Sequence, residues 1–189
     1  MRKLLVSESV TLDGVFEGPV HLPFEKFEQA GWTEPYSSEE HMKYLSEAMA
    51  GGGALMLGRA TYQYFETSWS PQTGPVADYM NNVTKYVVST TLKKADWHNS
   101  TLIQGNIVEE IRQLKQLPGK DIAILGSGTL IRSLMDCDLI DEYSLLVYPI
   151  VLGMGQRLFE KQTKTPLKLK EAKAFGSGVV LLSYELDKK

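Results

Sequence analysis

Three short segments of this chain combine glycine with cationic or hydroxyl side chains at the point where an apolar run gives way to a helical pattern. Gly126-Ser127-Gly128-Thr129-Leu130 follows the apolar run Ile122-Ala123-Ile124-Leu125, and Leu130, Ile131 and Leu134 then fall at helix spacing. A strand that turns through glycines into a helix presents unpaired backbone N–H groups and the positive end of the helix dipole. Such a turn suits a phosphate or diphosphate, although it also serves as a tight β-to-α connection with nothing bound. Gly58-Arg59-Ala60-Thr61-Tyr62 ends a second apolar run, and a guanidinium and a hydroxyl at a helix start can hold a phosphate dianion. The plainer reading is a solvated arginine with a threonine in the capping region. Ser89-Thr90-Thr91 offers hydroxyls for a ribose or a phosphate, and equally a polar strand exit. The glycine turn is not a Rossmann fingerprint, because Ile131 stands where the third glycine belongs and the segment comes late in the chain. Nor is it a P-loop, since no Lys-Ser or Lys-Thr follows the glycines.

The elements that must position these segments alternate between strand and helix. Residues 3–10 read as a buried strand ending at the Asp13-Gly14 turn, and residues 14–36 as a long loop with a helical turn around 24–29. Ser37 and Glu40 form a capping box for a helix whose buried stripe is Met42, Leu45 and Met49, stopped by Gly51-Gly52-Gly53. Further strands are expected at residues 54–57, 85–89, 101–104 and 122–125, and helices at 59–66 and 108–117, the latter with Ile111 and Leu114 inward. Residues 142–151 read as a long strand whose Pro149 suggests an edge or a bend. Residues 167–175 and 179–186 read as an antiparallel hairpin through Gly176-Ser177-Gly178. The expected class is therefore α/β, with a mostly parallel central sheet, an antiparallel C-terminal hairpin and helices on both faces, as one domain over residues 1–189.

Composition narrows the function. The formal net charge of -3, without a basic run interleaved with aromatics, argues against nucleic acid as a partner. The lysine-rich stretch 161–173 reads as a solvated strand face. No apolar run reaches membrane-spanning length, so no membrane is expected. A single cysteine, Cys137, excludes an internal disulfide and fits a reducing, cytoplasmic setting. No metal-ligand cluster and no nucleophile–base pair stands out, which weakens a hydrolase or phosphatase reading of the glycine turn.

Taken in order, these segments resemble the dihydrofolate reductase-like superfamily, and within it the C-terminal reductase domain of riboflavin-biosynthesis pyrimidine reductases (the RibD C-terminal domain family). The Gly58-Arg59-x-Thr61-Tyr62 element, the strand exit Ser89-Thr90 and the Gly126-Ser127-Gly128-Thr129-Leu130 turn carry the likeness. Thr11-Leu12-Asp13-Gly14 is similar to that branch's S-L-D-G signature. Residues 148–159 resemble its P-x-x-L-G-x-G-x-x-L-F signature. The resemblance runs from about residue 3 to the final hairpin and implies a three-layer NADP(H)-binding fold. By it, Arg59 and Thr61 hold the 2′-phosphate side of the cofactor, Ser89 and Thr90 lie near the adenosine ribose, and residues 126–130 cradle the diphosphate. An arginine at a ribose phosphate favours NADP over NAD. The implied activity is hydride transfer to a small substrate, a heterocycle or a carbonyl compound, and the implied assembly is a homodimer, whose apolar edge surface would lie on residues 145–148 and the hairpin. Asp13 is the first candidate for touching substrate, and also a plain turn aspartate. Glu17, His21 and Glu40 are further proton-donor candidates, although Glu40 reads first as a capping residue, and Trp32 and Tyr36 could stack a flat ring or pin the loop. The chain departs from folate-reducing enzymes, which carry a tryptophan before the proline of the stretch matching His21-Leu22-Pro23-Phe24-Glu25; Glu25 is the only carboxylate there. It also lacks the H-x-E and P-C-x-x-C ligands of a zinc deaminase. The alternative is a non-catalytic NADP(H)- or nucleotide-binding protein on the same scaffold.

Overall fold

A computed structural model describes residues 1–20, 26–160 and 164–187, and residues 48–51 by their backbone alone. Along the chain come β1 (Leu4–Thr11), a 3-10 turn (Glu34–Tyr36), α1 (Glu39–Gly51), β2 (Ala54–Gly58), α2 (Arg59–Trp69), α3 (Pro75–Asn82), β3 (Lys85–Val88) and β4 (Ser100–Ile103). Then follow α4 (Ile107–Gln116), β5 (Ile122–Ile124), α5 (Gly128–Met135), β6 (Glu142–Tyr148), β7 (Leu167–Ala174) and β8 (Val180–Leu186). The strands form a mixed eight-stranded sheet in the order β4-β3-β2-β5-β1-β6-β8-β7. The pairs β2–β3, β2–β5 and β3–β4 are parallel, and β6–β8 and β7–β8 antiparallel. This is the expected α/β class with its C-terminal hairpin.

The chain forms two compact units, residues 1–5 with 45–140 and residues 6–44 with 141–189. In the first, all five residues of β2 are buried, as a continuous apolar run flanked by parallel neighbours requires. Leu55, Leu57, Tyr62, Met80, Val83, Val87 and Trp97 make its core. Ile111 and Leu114 of α4 face inward as their spacing predicts. Residues 75–82, expected in no element, form α3. Gly74 and Pro75 open it as cap and first helical residue, and Ala77 and Met80 bury its inner face. Lys85, at the start of β3, is fully buried, with no carboxylate paired to it among the described residues. Its ammonium donates to the carbonyls of Asn81, Val83 and His98 at 3.3, 2.9 and 3.0 Å and sits 4.1 Å from the Trp97 ring centroid. Burial still pulls its pKa down to about 8.

In the second unit, β6 pairs with β8 from Glu142↔Glu185 to Val147↔Val180. The hairpin closes as a three-residue turn, with Phe175 N–H donating to Val179 O (2.9 Å) and Gly178 at φ 85°. Two expectations need correction here. The strand expected at 142–151 stops at Tyr148 and lies between β1 and β8, so Pro149 marks its end and not a sheet edge. The edge is β7, with Lys168, Lys170 and Lys173 and a bulge between Leu169 and Glu171, features that resist strand addition. The helix cap is Ser38 and not Ser37, its hydroxyl accepting from His41 N–H at 3.2 Å. The buried face also differs from the expected Met42 stripe: His41 is 3 % exposed, whereas Met42 is 52 % exposed. Glu40 closes no capping box. It accepts from Gly176 N–H at 3.3 Å and lies 3.7 Å from Lys173.

Candidate functional site

Parallel register brings the three chemistry-bearing segments to one edge of the first unit. Gly58 stands opposite Val88 of β3, and Val88 opposite Ile103 of β4. Arg59 and Ser89 therefore leave their strands at the same level. Met56 stands opposite Ile124, and two residues further on Gly58 N–H donates to Gly126 O at 3.2 Å. A Cβ on Gly58 would lie 3.1 Å from both the nitrogen and the Cβ of Ser127. Only glycine lets the end of β2 approach the β5–α5 turn this closely. The Gly126–Ser127 peptide is cis, and Gly126 has φ 75°.

The two helices that start at this edge are chemically alike. α2 begins at Arg59 with Gly58 as its cap residue, and α5 begins at Gly128 with Ser127 as its cap residue. Neither has a side-chain cap bond or a carboxylate in its first turn. α4 of the same unit differs: Asn106 accepts from Glu109 N–H at 3.3 Å, and Glu109 and Glu110 occupy its first turn. First-turn N–H groups without a capping side chain or a nearby anion retain their partial positive charge. Arg59 is exposed and Thr61 half-buried beside it, while Thr129 is exposed and Leu130 buried. Ser89 is buried and its Oγ accepts from Thr91 and Leu92 N–H at 3.2 and 2.9 Å, shaping the exit of β3. Thr90 beyond it is exposed.

Asp13 belongs to the second unit, where two signature segments some 140 residues apart in sequence form one knot. The carboxylate of Asp13 accepts from the Thr11 hydroxyl (2.6 Å) and from the backbone N–H of Gly153 (2.9 Å) and Leu152 (3.3 Å). Arg157 donates to Asp13 O at 3.0 Å and lies 3.4 Å from its carboxylate. The Thr11 hydroxyl first, and then the Gly153 and Leu152 amides, lower its pKa to about 2 against the opposing effect of burial. Leu12 N–H donates to Ile150 O, Phe16 N–H to Gln156 O, and Leu158 N–H to Gly14 O, at 2.9, 3.0 and 3.1 Å. Gly155, at φ 103°, leaves no room for a Cβ, which would sit 2.8 Å from Val15 Cγ1. Glu17 accepts from Gln156 N–H at 2.9 Å. Trp32 donates to Glu17 O at 2.8 Å and meets Tyr148 edge-on at 5.3 Å, and Tyr36 meets Tyr148 at 5.8 Å, so both aromatics pin the loop. His21 and Glu25 lie outside the described residues. Sequence reasoning missed Arg157 and the Leu152 and Gly153 amides as partners of Asp13. It also missed Ser127 as the reason for Gly58. Among the described residues, no group of three or more His, Cys, Asp or Glu is placed to hold a metal, and no helix is long and apolar enough to cross a membrane.

The chain is similar to several known proteins. Two proteins of Bacillus subtilis strain 168, the uncharacterized proteins YyaP and YwjB, are each 30% identical to the chain. The first match covers 97% of this chain and 94% of YyaP, the second 95% and 96% of YwjB. Among solved structures, a putative riboflavin biosynthesis protein from Shewanella sp. PV-4 superposes with a TM-score of 0.67 at 18% identity, covering 98% of this chain and 99% of that one. A pyrimidine reductase-like protein from Corynebacterium diphtheriae gives 0.66 at 11% identity, over 100% and 93%. RibD of Acinetobacter baumannii gives 0.64 at 15% identity, and there the chain spans 58% of the longer protein. At these identities the likeness is one of fold, a RibD-like dihydrofolate reductase fold. The model of the RibD C-terminal domain matches residues 2–181, and the chain belongs to that family.

Proposed function

We propose that the chain binds NADPH at the carboxyl edge of its first unit and reduces a small heterocyclic or carbonyl compound. The observation that carries this reading is the pair of uncapped, carboxylate-free helix starts of α2 and α5, with Gly58 and Ser127 in contact. Membership in the family of the reductase domain of riboflavin biosynthesis supports it. The cofactor would supply the hydride. The residues of the chain bind and orient: the first-turn amides of Gly128, Thr129 and Leu130 donate to the diphosphate, with Gly126 and Ser127 shaping the cradle. Arg59 and Thr61 would hold the 2′-phosphate, and the exposed Thr90 would lie near the adjoining ribose, at the strand exit that the Ser89 hydroxyl shapes. A carboxyl with its pKa lowered to about 2 is ionised at neutral pH. The part of Asp13 is thus to place the Leu152–Gly153 backbone, not to give up a proton.

Titration of the purified protein with NADPH and NADH, followed by nicotinamide fluorescence, tests the reading. Tight binding of NADPH with weak binding of NADH is expected, and no binding of either sinks it. The commitment of Asp13 to four donors also favours a second reading, an NADP(H)-binding protein without turnover. Binding without oxidation of NADPH across a panel of carbonyls, pterins and pyrimidines would select it. We place the protein in the cytoplasm as a homodimer. Exposed Leu12, Val151 and Met154, on loops joined by hydrogen bonds, are apolar surface for a dimer to cover, and light scattering reads the mass.

A further inference from the structure

We propose that His41 is a pH-operated latch of the second unit: its neutral imidazole clamps the end of the β7–β8 hairpin to the first turn of α1, and protonation releases it. The imidazole is 3 % exposed, and among the described residues neither Nδ1 nor Nε2 has a hydrogen-bond partner. It lies tilted on Phe175 (centroids 5.4 Å apart) and edge-on to Tyr148 (6.0 Å). Tyr44, one turn further along α1, meets the same Phe175 ring at 5.5 Å, and Glu40 accepts from Gly176 N–H. Among the described residues the hairpin end is thus held to α1 by the Glu40–Gly176 hydrogen bond, the contacts of Lys173 with Glu40 and Tyr44, and two aromatic contacts, one of them made by a titratable ring. An orphaned polar ring in an apolar surround is costly, and a phenyl ring would fill the same space without that cost.

The apolar surround of His41 opposes its charged form. Burial lowers its pKa. It occupies the third position of a 13-residue helix whose first turn also carries Glu39 and Glu40, so burial and not the helix start is what disfavours the cation. The Lys173 ammonium sits 4.9 Å from the Phe175 centroid and 5.4 Å from that of Tyr44, so an imidazolium would add a second cation to the same ring. Glu40, the residue before His41, is shared between Lys173 and Gly176 N–H. The hydroxyl of Tyr148 is hydrogen-bonded with Ser9, that of Tyr36 donates to Pro149 O, and that of Tyr44 is hydrogen-bonded with Ser144 in the field of Glu171. The sign follows. An opened hairpin end exposes the imidazole, which then takes up a proton at the ordinary histidine value. Falling pH below about 6.5 therefore favours the open form.

The experiment is NMR on the full chain with His21 and His98 replaced by Gln, reading the His41 imidazole and the exchange of the Gly176 amide between pH 7.5 and 5.0. After correction for intrinsic exchange, the opening of Gly176 is expected to rise by up to about 30-fold at pH 5.0, one proton's worth over that range. His41→Phe should remove the dependence. A His41 that protonates while Gly176 stays protected overturns the latch, as does the same loss of protection in His41→Phe. If that variant does not fold, the unsubstituted His41 decides: the open form must grow in step with protonation of the imidazole, and opening that does not follow it refutes the proposal.

Discussion

Replacing Asp13 by Asn should destabilise the second unit by an amount that depends on pH in a defined way. The side chain volume is kept and the charge removed, so the Thr11 hydroxyl and the Leu152 and Gly153 amides lose an anionic acceptor. The ordinary carboxylate value of 3.8 falls to about 2 in the folded chain. At about 1.4 kcal/mol for each pH unit, that difference is worth at most about 2.4 kcal/mol at neutral pH. The side chain keeps 19 % of its surface in solvent, which reduces the expected loss to about 1–2 kcal/mol. The folded-state value is depressed, so this stability is present above pH 4 and is lost as pH falls towards 2. Arg157 contributes little, because its contact is 3.4 Å long and its side chain is 46 % exposed; Arg157→Ala should cost under about 0.5 kcal/mol. Urea denaturation followed by Trp32 fluorescence, in a background with Trp69 and Trp97 replaced by Phe, measures this at pH 7.0, 4.5 and 2.5. The reasoning fails if Asp13→Asn costs less than about 0.5 kcal/mol at pH 7.0, or costs the same at pH 2.5.

Three further outcomes are expected. Arg59→Ala should weaken NADPH by about 1–3 kcal/mol and leave NADH nearly unchanged in a fluorescence titration, since the guanidinium is assigned to the extra phosphate alone. Gly58→Ala should destabilise the first unit by about 1–3 kcal/mol and abolish NADPH binding, because the methyl meets the Ser127 backbone at 3.1 Å; unchanged thermal denaturation and cofactor affinity would contradict the close approach. Lys85 binds fewer protons folded than unfolded between its lowered value of about 8 and its ordinary 10.5, so stability should rise with pH there. A gain of about 1–2 kcal/mol from pH 8.0 to 9.5 by urea denaturation, absent in Lys85→Met, is the expected result.

Local pattern made much of the first unit legible. An unbroken apolar run such as residues 54–57 can be satisfied only by burial on both sides, and Ile111 and Leu114 lie inward because helix geometry puts positions three apart on one face. The Gly-Pro pair at 74–75, followed by Ala77 and Met80, carried the signal for α3 as well, but eight residues are too short for periodicity to stand out beside turn residues. At α1 two adjacent serines offered equal caps. The cap is Ser38, and the face that α1 buries sets His41 against Phe175 and Tyr148, partners that lie more than 100 residues away.

Residue type and spacing alone determined that three strand ends could carry an anion, because glycines, an arginine and hydroxyls at helix starts have that chemistry wherever they stand. They did not determine that the three would meet. Parallel register decided that, setting Gly58 level with Val88 and joining it to Gly126 by a hydrogen bond. The fate of charged side chains was likewise tertiary. Asp13 became an ionised tie between two distant loops, Lys85 a buried cation wrapped in carbonyls, and His41 a ring without a hydrogen bond. A carboxylate, an ammonium or an imidazole carries its chemistry in the sequence, but its pKa and partners depend on which dipoles and how much water surround it. For Asp13 and His41 those surroundings include segments more than 100 residues away in sequence, and for Lys85 they are the nearby carbonyls of Asn81, Val83 and His98 that the fold turns inward.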